Sequence, residues 1–405
     1  MVEMSTGLRH RAVDFLLGEV PAAQRVASEI ESSPGSGEAW TGIIELCADW
    51  KVLPRLRERL GESEARLPAH CRARLQQLLS QDFVYTARCV NGGADALGLL
   101  EAWAIPCAAF KGLAAVALLY PGPERRRTLH DVDILIRGES LRPALEVLEA
   151  NGYHRSLEGP LDEYIAFVQN SPGSAGNEAV SMSNHQGATI DLHWRLGRLD
   201  PAVLLGDIRR CVVLNKPVPV IAPVHSLLLT AHHSLRNDFV ADEMMRDLLD
   251  FSAWLDLLDS DAERSCVVAT AREWGLAGAV LAMERIVSMA RGGRPTVLAP
   301  IAASGDLRNG TDLAELYFHQ LQFGPLNTDL VYLADPNPLF QVLAGAASGW
   351  SRYRAIMKDM EILNGSAELT LRGRLRRLAA AARRLPARRW RQVRTLAAAK
   401  QDVSG

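Results

Sequence analysis

Asp131-Val132-Asp133 runs directly into the apolar Ile134-Leu135-Ile136, and no other stretch constrains the chain as tightly. The pattern predicts a strand, in which residues two apart share a face. The carboxylates of Asp131 and Asp133 then project side by side, about 6–7 Å apart at the backbone by the strand rise, with Val132 turned away. Two like charges held so close repel, and a divalent cation is the usual remedy. The chemistry this points to is a metal-dependent, phosphate-handling site.

A second segment supports it. Ala188 to Trp194 alternates, placing Thr189, Asp191 and His193 on one face and Ala188, Ile190, Leu192 and Trp194 on the other. That is a strand at the wet edge of a site, with its apolar face in the core. Three carboxylates on two neighbouring strands suit two Mg²⁺ ions clamping the attacking and leaving oxygens of a phosphoryl displacement. Upstream, Ile105–Phe110 predicts a short strand ending at Lys111-Gly112, and Leu113–Tyr120 a helix stopped by Pro121-Gly122-Pro123. Glycine at such a turn lets phosphate approach the backbone amides. The helix start adds a positive dipole end, and Lys111 a full charge. Arg127, four residues before Asp131, is a candidate for stabilising charge on the transferred phosphoryl group; the alternative is a solvated Arg125-Arg126-Arg127 cluster. His193 is a candidate for contact with phosphate or metal-bound water, whereas His130 reads as structural.

Lys111-Gly112, Arg127, Asp131-Val-Asp133-Ile-Leu-Ile and Asp191-Leu-His193-Trp194-Arg195 together resemble a largely uncharacterised bacterial nucleotidyltransferase family, a branch of the DNA polymerase β-type superfamily. Lys111-Gly112 stands where that superfamily usually has Gly-Ser. The resemblance implies an α+β fold, with a small mixed sheet of the polymerase β-type nucleotidyltransferase kind flanked by helical N- and C-terminal domains. It also implies Mg²⁺-dependent transfer of NMP from an NTP to an acceptor hydroxyl. Asp131 and Asp133 would hold the metals, Asp191 would hold the second metal and help activate the hydroxyl, and Lys111 and Gly112 would hold the triphosphate. A reading from another class is a catalytically degenerate scaffold of the same fold.

The rest of the chain reads as support. Residues 1–103 predict helices at Arg9–Leu17, Glu38–Trp50, Val52–Leu60, Ala69–Leu79 and Phe83–Trp103, with breaks at Pro34-Gly35 and Gly92-Gly93. Residues 104–215 form the expected nucleotidyltransferase core, containing a loop over 157–178. Residues 216–370 are expected to be a helical domain, beginning with helices at Val224–Leu235, Ala241–Leu258, Asp261–Trp274 and Gly278–Ala290. Within it His232 and Arg236, one turn apart, are candidates for an acceptor pocket, with pairing to Asp247 the plainer alternative. From Leu371 to Gly405 eleven Lys/Arg face one Asp, so the tail over 372–400 is a candidate contact for nucleic acid or a membrane surface. Six scattered cysteines without metal spacing predict reduced thiols. With no secretory pattern and no apolar run of membrane-spanning length, a cytoplasmic protein is expected. The acceptor is not legible: small molecule, peptide and RNA all remain open.

Overall fold

The alternating segments assemble into a seven-stranded sheet in the computed structural model. It describes residues 6–291 apart from 19, 34, 121–126, 157–158, 171–177, 197–198, 237–240 and 259. The part of the expected helical domain beyond residue 291 and the basic tail lie outside the described residues. The strands are β1 (Cys107–Ala109), β2 (Val132–Ile136), β3 (Tyr153–Arg155), β4 (Ala179–Asn184), β5 (Thr189–His193), β6 (Ile208–Val213) and β7 (Lys216–Ile221). Their spatial order is β3-β4-β5-β2-β1-β7-β6. β2 runs parallel to β5 and β1 parallel to β7, while the remaining pairs are antiparallel. The sheet is therefore mixed, as expected.

Period-two alternation divides its faces. Val132, Ile134, Ile136, Ile190 and Leu192 point into a core shared with α5 (Ala69–Ala102) and α7 (Leu141–Ala150). The opposite face carries Ala108, Phe110 and Leu135, covered by Leu204 of α9 (Pro201–Leu205) and Leu229 of α10 (Pro223–Arg236). Asp133, Asp191 and His193 occupy that second face by the same alternation.

The remaining helices are α1 (Thr6–Leu17), α2 (Val20–Glu31), α3 (Ser36–Asp49), α4 (Leu53–Leu60), α6 (Gly112–Leu118), α8 (Leu161–Asn170), α11 (Ala241–Leu257), α12 (Asp261–Glu273) and α13 (Ala277–Ala290). Those from the two ends of the described chain share one hydrophobic core: Phe15, Trp40 and Trp50 belong to the same cluster as Phe251, Trp254 and Met283. Two segments separate in sequence are thus one body in space. All six cysteines are free thiols, four of them buried. Among the described residues no helix is long and apolar enough to cross a membrane.

Four local expectations are corrected. Helix α2 is absent from the sequence reading because Ala23, Val26, Ala27 and Ile30 make only a thin apolar stripe, although all four are buried. The 157–178 stretch holds α8, which carries Asp162 and Glu163 in its first turn. The β6–β7 hairpin was hidden by Pro217 and Pro219, which argue against a strand between two neighbours. Being two apart they lack donors on the same flank, and β7 meets β1 only at Val220, beyond both. The hairpin turns through Leu214 and Asn215 with φ of 51° and 62°, a left-handed pair at which the usual Asn-Gly signal is missing.

The fourth correction is α5, one helix of 34 residues rather than separate helices at Ala69–Leu79 and Phe83–Trp103 with a further break at Gly92-Gly93. These glycines permit close approach. A Cβ on Gly92 would lie 2.4 Å from the Ala188 Cβ, and one on Gly93 would lie 2.7 Å from Val132 Cγ1. The helix therefore rests directly on β2, against the residue between the two aspartates. Gly93→Ala gains about 1 kcal/mol of helix propensity but overpacks this contact at about 1–3 kcal/mol. The expected result is a melting temperature lowered by a few degrees and restored by adding Val132→Ala; unchanged melting of the single variant would contradict the contact.

Candidate active site

The site is built where β2 and β5 lie side by side in parallel. Asp133 and Asp191 are direct register partners, and His193 pairs with Leu135 two residues on. Ligating atoms of Asp133, Asp191 and His193 all fall within 4.8 Å of one another. Asp131 precedes β2 rather than lying in it and is exposed at the rim. Its carboxyl is pushed up, first by desolvation within the concave site and then by the charges of Asp133 and Asp191, with Lys111 and Arg246 opposing. The like-charge crowding inferred from sequence is thus present, distributed over three carboxylates.

Asp133 is the buried centre of the group, only 6% exposed. Burial would raise its carboxyl, yet Lys111 and His193 overcome that and hold it far below the usual carboxylate range. Lys111 Nζ lies 2.7 Å from its Oδ1 and His193 Nε2 lies 2.9 Å from the same oxygen. His193 is held by an edge-on contact with Phe110 at 4.9 Å between ring centroids. Its own desolvation lowers its pKa against the pull of Asp133, so the neutral ring donates Nε2–H to the carboxylate. Asp191 is oriented from the neighbouring strand, accepting a hydrogen bond from the Ser181 hydroxyl of β4. Ser181 was not foreseen; its signal was alternation within Ala179–Asn184, which puts Ser181 opposite Asp191.

The turn before α6 places Lys111 at φ 50°, ψ −119°, a region that favours glycine and costs a residue with a Cβ about 1–3 kcal/mol. Strain therefore sits on the residue whose ammonium reaches Asp133. Gly112 is explained by packing. A Cβ there would lie 2.5 Å from Leu129 Cδ2, so glycine is needed beneath Leu129 whether or not phosphate approaches. Helix α6 has only seven residues, and its dipole is correspondingly small.

Arg127 is 7% exposed and turned to the helical body. Its Nε donates to Asp250 of α11 at 2.8 Å, and Tyr120 donates to the other oxygen of the same carboxylate at 3.1 Å. The solvated-cluster alternative does not describe Arg127. The segment after it is tied to α5: Thr128 donates to Asp82, and Leu129 N–H to Thr86. Asp82, Thr86 and Asp250 carry no motif and were not legible. His130 packs on Tyr85, the structural role expected. His233, rather than His232, pairs with Asp247 at 2.9 Å; the Arg236 side chain lies outside the described residues.

With that geometry in place, the comparisons become informative. A family profile described as uncharacterised nucleotidyltransferase matches residues 36–289, more than half of the chain. The protein belongs to this nucleotidyltransferase family, and nucleotidyl transfer is its reaction class. The matched range runs from the first residue of α3 almost to the end of α13, so the helical flanks are part of the family unit. Among solved structures, the antibiotic-resistance factor ANT(2'')-Ia is 14% identical with a TM-score of 0.32, over 46% of this chain and 92% of that one. An antigenic nucleotidyltransferase-like protein from Paracoccidioides brasiliensis is 14% identical with a TM-score of 0.28, over 48% and 93%. Neither superposition bears on the assignment. A search of curated proteins gave no match.

Two predictions follow from the charged contacts. Lys111→Gly and Lys111→Ala both remove the ammonium, but only glycine relieves the turn. The glycine variant should therefore be the more stable of the two by about 1 kcal/mol, the strain less the added freedom of the unfolded chain. Equal denaturant midpoints would remove the strain argument. Arg127→Met leaves Asp250 buried without its partner and should cost about 3–5 kcal/mol. The double variant Arg127→Met/Asp250→Leu should recover most of that loss.

Proposed function

We propose that the protein moves a nucleoside monophosphate from an NTP to a hydroxyl-bearing acceptor, with Mg²⁺ held by Asp133, Asp191 and Asp131. The observation that carries this is the register pairing of Asp133 with Asp191, which sets two carboxylates and His193 around one ion-sized point. The oxygen-rich donor set suits a hard cation such as Mg²⁺, with imidazole the softer member. Crowding that raises the Asp131 carboxyl is what a divalent ion would relieve. When bound, the ion would neutralise charge on the transferring phosphoryl group and make the acceptor hydroxyl more acidic.

The chain's own groups divide the remaining work. Lys111, seated on Asp133 without substrate, carries the charge to receive the triphosphate beside the Gly112 turn. His193 keeps Asp133 oriented and ionised. Asp191, fixed by Ser181, takes the proton of the attacking hydroxyl. The new bond forms between that oxygen and the α-phosphorus, the α–β bridging bond breaks, and pyrophosphate leaves. Arg127 supports this from behind as a positioning residue, holding the loop that delivers Asp131. Positioning and charge neutralisation account for most of the acceleration in such reactions.

Calorimetry with ATP, GTP, CTP and UTP, each with and without Mg²⁺, tests the reading and exposes the nucleotide preference. Metal-dependent binding is expected, and Mg²⁺ alone should raise the melting temperature of the wild type. Asp133→Asn and Asp191→Asn should lose the Mg²⁺ shift and at least roughly a hundredfold in turnover. Silence with all four nucleotides would favour the degenerate scaffold, and full turnover in both variants would remove these residues from the mechanism.

A further inference from the structure

Away from the carboxylates, a partly open cavity of about 230 Å³ lies between the N-terminal helices, the end of α6 and α11. Its cationic wall comprises Lys51, Arg55, Arg59, Arg127, Arg246 and Arg291, against Glu58, Asp250 and Asp256. Each carboxylate has an arginine partner. Arg55 meets Glu58 at 2.6 Å, Arg127 meets Asp250 at 2.8 Å and Arg291 meets Asp256 at 2.6 Å. Lys51, Arg59 and Arg246 are the remaining cations of the lining, with Asp82 acting on Lys51, and Asp131 and Asp247 on Arg246, from outside it. Arg59 spends one donor on the neutral Gly18 carbonyl, and Arg246 Nε comes no nearer than 4.0 Å to Asp247.

Two further signs show that this positive charge is poorly accommodated. The Nε groups of Arg55, Arg59 and Arg246 are buried without an acceptor among the described residues, which is unfavourable for a donor removed from water. Arg59 is pushed down to about 10, first by burial and then by Arg55, with Glu58 opposing and Arg291 adding to the fall. The volume falls below the roughly 300–1,000 Å³ of ordinary small-molecule pockets, so it suits an oxyanion rather than a nucleoside. None of Lys111, Asp131, Asp133, Asp191 or His193 lines it. It nevertheless backs onto the site, because the Arg127 guanidinium nitrogens lie 3.7 Å from where a Cβ on Gly112 would stand.

We propose that this cavity is a second anion site, taking a phosphate-class oxyanion between Lys51, Arg59 and Arg246, either free or as the terminal phosphate of a larger ligand. It stands independently of the carboxylate chemistry. The test is titration calorimetry on the full chain in metal-depleted buffer, with inorganic pyrophosphate, inorganic phosphate and phenyl phosphate as probes. One-to-one binding that weakens with added salt is expected. Arg59→Gln and Lys51→Met should each weaken it at least tenfold, while Asp133→Asn leaves it unchanged. Lys51→Met stands in if Arg59→Gln, which loses the Gly18 contact, melts early. Tighter binding of pyrophosphate than of phenyl phosphate would support a free diphosphate as occupant; equal or reversed order would support a terminal phosphate. No heat with any probe, undiminished binding in both cavity variants, or loss in Asp133→Asn would overturn the proposal. Because Asp133→Asn separates the sites, failure of the catalytic reading would leave this result intact.

Discussion

One buried carboxylate governs the arrangement. Asp133 sits inside the sheet where ionisation should be unfavourable, and it remains charged only because Lys111 and His193 converge on a single oxygen. Much of the neighbouring structure serves that convergence. Lys111 adopts an unfavourable backbone conformation to reach it, Phe110 fixes the His193 ring, and α5 presses on Val132 from the opposite face. An aspartate kept ionised in this way, beside a second carboxylate in register, is the feature on which the proposed function rests.

How much of this was legible follows from the range over which each signal acts. Alternation in 188–194 and the apolar run after Asp133 are local, and they correctly put Asp133, Asp191 and His193 on one face. The parallel pairing that makes Asp133 and Asp191 neighbours is non-local, and the sequence suggested it only through the combination of motifs. The partners that hold the site were not legible at all. Asp250 reaches Arg127 across 123 positions and Asp82 reaches Thr128 across 46, and nothing around either acid distinguishes it from an ordinary helix residue. Gly92-Gly93 misled because a glycine pair weakens an isolated helix, whereas here packing against Ala188 and Val132 outweighs propensity. Pro217 and Pro219 misled for a related reason: the rule against proline in inner strands presumes ladder bonds on both sides, and β7 makes almost none toward β1.

The cationic cavity and the carboxylate cluster meet at Arg127 and Gly112. A wall of six cations and three carboxylates thus backs onto the face that carries Asp133 and Asp191, with Arg127 and Asp250 its buried members and Arg55, Arg291 and Asp256 partly exposed.

The common core of α1–α4 and α10–α13 has a consequence for biogenesis. Helix α1 cannot complete its packing until α13 has been synthesised, so this opening helix must wait through the whole sheet before its apolar face is covered. During translation that interval leaves exposed hydrophobic surface of the kind chaperones engage. A ribosome-bound chain halted before α11 would therefore be more vulnerable to aggregation than one halted after α13, even though the seven strands are complete in both.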